Sequence, residues 1–231
     1  MMRARDSRMP EVVLSREERI HLAGVLGRLL KWDPAARLRI TSTQRALGLY
    51  LDAPMGVLVF IALPLAAPLD EVVERAVSAH RLRDILGDVA SMSAPEGDVA
   101  VKIPDGLDMP PALAVLPPGE GWIGAERATA AEVASAVDAA LAQFAEQSEA
   151  IRGAGEAAKR ELAEEWWATS TWGGLPLKAL HAARSLGMLS HPGARVESAT
   201  RAGWKRMATP AGQVFVAPPH SYAGIALSVV R

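Results

Sequence analysis

Seven consecutive residues, Val57–Leu63 (VLVFIAL), carry no polar side chain, and this run constrains the fold more than any other feature of the chain. A strand with one wet face alternates apolar and polar residues, whereas an unbroken apolar run needs cover on both faces. The run therefore predicts a central strand of a sheet. It belongs to a longer apolar stretch, Met55–Leu69, which Pro64 and Pro68 interrupt and which falls short of the roughly 20 residues a membrane-spanning helix requires. No membrane association is expected.

RLRITS (37–42) and ALGLYLD (46–52) precede the run, and turn-forming residues fill Asp52–Gly56, so the three segments read as an antiparallel meander. Before it, Ser15 and Glu18 have capping-box spacing, and Leu22, Val25, Leu26, Leu29 and Leu30 recur at helical intervals, which predicts a helix over 15–31. After it, Leu69, Val72, Val73, Ala76, Val77 and Leu86 predict a second amphipathic helix from Pro68. Residues 88–125 are broken by Pro and Gly, but VAVKI (99–103) and ALAVL (112–116) could each add a strand to the first sheet.

A second capping box, Thr129 and Glu132, opens a helix with Val133, Val137, Leu141 and Phe144 on one face. Further helices are expected over 156–169 and 176–186, the latter started by Pro176 and stopped by Gly187. RVESAT, WKRMAT and QVFVA, separated by turn residues, read as a second meander, and YAGIALSVV (222–230) as a last strand. The fold class is accordingly α+β with two lobes, each with helices packed on an antiparallel β-meander. The expected boundaries are a flexible tail at 1–10, an N-terminal lobe at 11–125 and a C-terminal part at 126–231. The two halves share a coarse order of helix then three hairpin-linked strands, with no residue alignment to support a duplication.

Charge is segregated in the C-terminal half. Residues 129–170 hold eight acids and three bases, a net −5, whereas 171–217 hold six bases and one acid, a net +5, in a chain whose total is −1. The six bases are Lys178, Arg184, Arg195, Arg201, Lys205 and Arg206. Such polarity bears on partners and docking, not on chemistry. The expectation is that the two segments neutralise one another by folding together.

The 231 residues include no cysteine, which excludes disulfides, thiolate metal sites and cysteine nucleophiles and fits a reducing compartment. No apolar stretch with a small-residue cleavage site follows the basic first ten residues, so no secretory signal is expected. There is no Walker loop, no G-x-G-x-x-G between strand and helix and no G-x-S-x-G. The five histidines lack the i, i+4 pairing of zinc helices. No catalytic residue, metal or cofactor is expected, and the balance favours a non-enzyme.

What remains are candidate binding residues. Trp166, Trp167, Trp172 and Trp204 are the aromatic concentration of a chain poor in rings, suited to cores and interfaces. His181 and Arg184 stand one helical turn apart and could share a face. The candidate set is Trp172, Lys178, His181, Arg184, Arg201, Trp204, Lys205 and Arg206.

LAVLPPGEGW (113–122), LHAARSLGML (180–189) and GWKRMATPAGQVFV (203–216) resemble an uncharacterised group of proteins from high-GC actinobacteria. The resemblance implies a bacterial, cytoplasmic protein and carries no catalytic residue with it.

Three functions stay open on the sequence. One is a cytoplasmic protein acting through protein–protein contacts, its Trp-bearing helices and basic meander as the contact surface, with edge strands pairing into a homodimer. A second is nucleic-acid binding through a winged-helix-like C-terminal part, with Lys178, His181 and Arg184 on the groove helix and Arg201, Lys205 and Arg206 near the hairpin. A third is a small-molecule enzyme or sensor with an anion-binding pocket between lobes, lined by Trp172, His181, Arg184 and Glu165.

Overall fold

In the computed structural model, which describes residues 10–87 and 95–218, the chain is α+β with six α-helices and a large share of antiparallel strand. It divides into two compact units, one within Met1–Asp52 and Ile61–Leu113, the other within Ala53–Phe60 and Ala114–Arg231. The first-ten-residue tail, except Pro10, and the expected strand at 222–230 lie outside the described residues.

The first unit runs β1 (Glu11–Leu14), α1 (Arg16–Trp32), β2 (Arg37–Ser42), β3 (Ala46–Ala53), the second half of β4 (Val57–Pro64), β5 (Glu74–Ser78), α2 (Ala79–Leu86), β6 (Val99–Lys102) and the short α3 (Pro111–Ala114). Its strand order is β5-β2-β3-β4, with β1 and β6 in a separate antiparallel pair. The Ser15 hydroxyl accepts the Glu18 N–H at 3.3 Å, so the helix starts where its cap predicts. Leu38 faces Leu51 across one ladder and Val77 across the other, and Ile40 faces Leu49. All five are fully buried, each such side chain contributing about 1.5–3 kcal/mol.

The helix expected over 68–86 is corrected: its first part is the strand β5. Val73 is buried and Val72 exposed, and Ala76 and Val77 lie in register with Arg39 and Leu38. The apolar residues fit a helical stripe, but β2 offers an unfilled ladder, and tertiary pairing overrides the local period. Helix begins at Ala79, where the Ser78 hydroxyl accepts the Arg81 N–H. VAVKI forms β6, paired with β1 instead of joining the first sheet, and ALAVL yields the single turn α3.

In the second unit, the first half of β4 is followed by β7 (Ile123–Thr129), α4 (Ala130–Ala150), α5 (Glu156–Ala168), β8 (Ser170–Trp172), β9 (Leu175–Pro176), α6 (Leu177–Ser185), β10 (Arg195–Arg201), β11 (Trp204–Thr209) and β12 (Gly212–Val216). The strand order is β4-β12-β11-β10-β7, so β7 is an edge. Ser198, Met207, Val214 and Val59 occupy one register row, each buried. Leu177, Leu180, Ala183, Val133 and Val137 are buried on α6 and α4. The reciprocal box at Thr129 and Glu132 is complete, with Glu132 Oε2 accepting the Thr129 N–H at 2.7 Å. Strand β7 was not expected: IGAERAT has no alternation, and six of its seven residues are exposed.

Within the second unit β4 pairs through its first half with β12. Its buried character is continuous only over Val57–Val59; from Phe60 onward buried and open positions alternate, with Ala62 and Pro64 exposed.

One buried charge ties sequence-distant parts of the first unit together. Arg19 is 3% exposed and its Nη2 donates to the carbonyls of Pro95 (2.7 Å) and Gly97 (3.0 Å). Truncation removes two charge-assisted bonds and strands two acceptors. Arg19→Ala should therefore lower the unfolding free energy by about 2–3 kcal/mol, read as a shift of the urea midpoint at unchanged slope, and Arg19→Lys should lose less.

Candidate functional site

The six cations that mark the C-terminal half become visible one by one, and most of them are engaged by neutral groups. Lys178, on the first turn of α6, donates from Nζ to the Met55 carbonyl at 3.0 Å. Lys205 Nζ donates to the Gly174 carbonyl at 2.6 Å. The Arg206 guanidinium lies 4.7 Å from the centroid of the Trp122 ring, a cation–π contact of about 1 kcal/mol, and partial burial lowers its pKa from the ordinary value, with Glu197 opposing the shift. Arg201 lies against Gly121, where a Cβ would overlap the guanidinium. Arg195 pairs at 2.7 Å with Glu197, which also receives Arg127 at 3.1 Å. Arg184 alone of the six makes an ion pair with the acidic segment, to Asp138 of α4.

The expected mutual neutralisation of the two segments is thus corrected to a single Arg184–Asp138 contact. Solvating a guanidinium or ammonium on carbonyl oxygens and an indole face satisfies it without a carboxylate. Within the acidic segment, Glu149 with Arg152 and Glu156 with Lys159 pair locally.

The aromatic residues fall into two groups. Trp204 and Phe215 are buried, and Trp122 lies 5.7 Å from Phe215 with its indole N–H donating to the Pro118 carbonyl at 3.0 Å. This folds the loop 117–122 back on itself beside Arg201 and Arg206. The other group joins the α4 and α5 helices: Phe144 stands 5.9 Å from Trp166 and 6.0 Å from Trp167, and Trp166 Nε1 donates to the Ala140 carbonyl. His181 meets Trp167 at 5.2 Å between centroids and reaches Ser185 Oγ at 3.4 Å. Burial, then the charge of Arg184, lowers the His181 pKa from its ordinary value. Trp172 is half-buried in the short ladder β8–β9, and Glu165 uses its carbonyl to accept the Thr169 hydroxyl.

A pocket of about 350 Å³ is lined by Gly124, Ala125, Glu126, Arg127, Glu197 and Ser198, none of them in the candidate set. It sits where β7 and β10 lose register at Ser198 and Ala199. Around it, the Glu126 N–H donates to Ser198 Oγ at 3.1 Å and Glu126 Oε2 accepts the Gly173 N–H at 3.0 Å. Gly173 has φ +58°, and a Cβ there would overlap Ser198, so the turn docks on β7 and β10 only because Gly173 lacks a side chain; at Gly174 a Cβ would meet open space, and the left-handed φ of +72° is what favours glycine. In the sequence, the TWGG stretch marked this turn, but nothing indicated its docking partners. No group of three or more potential metal ligands occurs among the described residues, and no helix among them is long and apolar enough to cross a membrane.

Residues 117–221, which take in β7 to β12, match a domain of unknown function, DUF8185. No curated protein matches the chain. Among solved structures it is similar to the DNA polymerase III subunit beta of Pseudomonas aeruginosa, with TM-score 0.57 and 12% identity over 93% of this chain and 68% of that one. The beta subunit of Thermotoga maritima DNA polymerase III gives 0.55 and 8%, over 94% and 68%. The H. pylori beta clamp gives 0.53 and 9%, over 90% and 63%. The chain spans about two thirds of the length of these structures, and at this identity the likeness concerns the fold.

Two outcomes follow from the site geometry. Gly173→Ala forces a left-handed backbone on a residue with a Cβ and drives that atom into Ser198; it should cost roughly 2 kcal/mol, and the same substitution made in a Ser198→Gly background, itself destabilised by loss of the bond to the Glu126 N–H, should cost less by the steric part, measured by denaturant unfolding. His181 titrates lower in the folded chain than in the unfolded one, so the unfolded state binds more protons on acidification. Stability should be full above the unfolded pKa of about 6.5 and decline as pH falls below it. Thermal melts of His181→Gln should show a shallower decline, with His21, whose pKa burial also lowers, contributing to what remains.

Proposed function

We propose that this chain works without catalysis, through protein–protein contacts, and that its contact surface is the helical arm formed by the second half of α4 together with α5. The observation that carries the proposal is how little the arm buries. α4 has no buried residue after Val137 and α5 has none at all, yet Leu141, Phe144, Leu162, Trp166 and Trp167 stand half-buried along it. An apolar and aromatic strip of this kind, rimmed by charge, is what a partner covers. Glu161, Glu164 and Glu165 are exposed beside it, so the complementary partner has an apolar groove with a basic rim. The fold is similar to that of a DNA polymerase III beta subunit, which supports a place in an assembly.

The nucleic-acid reading loses ground on the same facts. In α6, the helix a winged-helix reading sends into a groove, Lys178 holds a carbonyl, Arg184 an Asp138 carboxylate and His181 a tryptophan ring. The helices beside it are acidic and repel phosphates. The pocket reading loses ground because the candidate residues His181 and Arg184 are each committed to another side chain.

A homodimer, the assembly expected from the sequence, needs an open strand edge. The outer edge of β5 is partly covered, since the Leu107 N–H donates to the Ala76 carbonyl at 2.8 Å; among the described residues β7 is the end strand of the second unit's large sheet. Two lobes of helices on hairpin-linked strands remain our reading of the architecture, supported by the successions β2–β3–β4 and β10–β11–β12. A bacterial, cytoplasmic setting belongs to the same proposal, supported by the lack of cysteine and the three resembling blocks.

Reversing charge on the arm tests the contact surface. Glu161→Lys/Glu164→Lys/Glu165→Lys should leave circular dichroism and melting temperature unchanged while the unmodified chain, and not the variant, retains a basic protein from lysate in a salt-sensitive manner. Equal retention by both sinks the arm as the surface. Fluorescence anisotropy with labelled duplex at low salt should show no binding; salt-dependent binding there moves the nucleic-acid reading to first place.

A further inference from the structure

One face of the second unit's sheet has a trough at its β7 end. Residues paired across an antiparallel ladder share a face, and one such row runs Leu58, Phe215, Arg206, Ala199 and Gly124, from β4 to β7. Its first three members have large side chains, and Leu58 and Phe215 are buried. Toward the edge the row shrinks to a methyl group at Ala199 and a hydrogen at Gly124. The pocket of about 350 Å³ lies against Gly124 and Ala125, both exposed. Ser198 points to the Gly173 turn, so Glu197 and Ala199 on either side of it point to the opposite face, the one with the trough.

The border of the trough is cationic. Arg127 and Glu197 face one another across β7 and β10, and Arg195 reaches the same Glu197 oxygen as Arg127 does. Two guanidinium groups, with side chains 72% and 61% exposed, thus share one carboxylate. A surplus positive charge is left beside an unfilled hollow. Among the described residues β7 pairs only with β10, and six of its seven residues are exposed, so its outward backbone groups form a template for one more strand.

We infer that this edge is a docking site for an extended segment of another protein. The segment adds as a strand beside β7, lays one large aromatic or aliphatic side chain over Gly124 and Ala199, and sets a carboxylate two residues away against Arg127 and Arg195. Main-chain hydrogen bonds supply the affinity, and the trough with its border supplies the selectivity. A bulky side chain laid over a strand glycine restores the cover that the glycine lacks. The spacing of two follows from the register. Ala125 is the extra residue of the bulge, so Gly124 and Arg127, three apart in β7, are matched by Ala199 and Glu197, two apart in β10; an unbulged partner keeps the shorter interval.

A second copy of the chain fits less well. A two-fold axis normal to the sheet keeps every residue on its own face, so a symmetric β7 brings Gly124, Arg127 or Thr129 to the trough. None of the three fills it, and Arg127 adds a like charge.

The inference is independent of the arm. Random heptapeptides displayed on phage and selected on the full chain provide the probe. Enriched peptides should carry a large apolar residue with Asp or Glu two positions away. One of them, labelled with fluorescein, should bind in anisotropy titrations and slow amide hydrogen exchange at 123–129 but not in α5. Gly124→Leu, whose side chain enters open space, should leave the melting temperature unchanged, fill the trough and weaken binding at least ~10-fold. Arg127→Gln/Arg195→Gln should weaken it roughly 5-fold at low salt and by less as salt rises. A selection that enriches no such pattern, protection confined to α4 and α5, or equal binding by the parent and both variants overturns the inference. Protection of 123–129 that appears without peptide, rises with protein concentration and accompanies a dimer mass in light scattering also overturns it, in favour of a second copy on the edge.

Discussion

The second unit depends on one buried polar group in an otherwise apolar row. Val59, Val214, Met207 and Ser198 succeed one another across four strands, and the first three are hydrocarbon and thioether that burial alone stabilises. Ser198, 1% exposed, has to find a partner for its hydroxyl. It takes the Glu126 N–H, which the register shift between β7 and β10 has removed from the ladder. Glu126 is then held with its carboxylate on the Gly173 N–H, and Lys205 takes the next carbonyl. A single hydroxyl thus links the edge strand, the turn between α5 and α6 and the β10–β11 hairpin.

That arrangement changes what the charge polarity of the sequence means. Net +5 beside net −5 suggests two plates attracting each other, but Coulomb attraction between exposed groups is weak in water and screened by salt. Hydrogen bonds from a cation to carbonyls and contact with an indole face need no distant partner and tolerate partial burial. The cations of 171–217 are therefore mainly structural fasteners inside their own unit, with Arg184–Asp138 as the one tie to the acidic segment. Much of the acidity of α4 and α5 is left facing outward, which is why the arm reads as a surface for something basic.

The sequence disclosed those elements whose signals are local. Ser15, Thr129 with Glu132, and the Gly–Pro punctuation around α6 placed helix starts and stops to within a residue or two, since caps act on their own backbone. The alternation in RLRITS and the turns before WKRMAT and QVFVA placed strands equally well. What stayed hidden was set by partners remote in sequence. β5 carries a helical stripe and becomes a strand because β2 has a ladder to fill. β7 has neither stripe nor alternation, being an edge that buries nothing. Trp204 was legible as a core aromatic, but Trp122, Glu126 and Ser198 were not, because each matters only for what β10 and β11 bring to it.

The two sheet edges show how differently one chain can treat the same liability. β5 is short, charged at Glu74 and Arg75, and partly covered by the backbone of Leu107, so self-pairing there is opposed twice. β7 is longer, carries Ile123 in the open and relies on its register shift and the Glu126–Arg127 pair of charges for any discouragement. A bulge of that kind twists an edge away from flat partners, which disfavours a rigid neighbouring sheet more than it disfavours a pliable single segment. An isolated stretch of chain can follow the twist residue by residue, whereas the edge of a second folded sheet cannot.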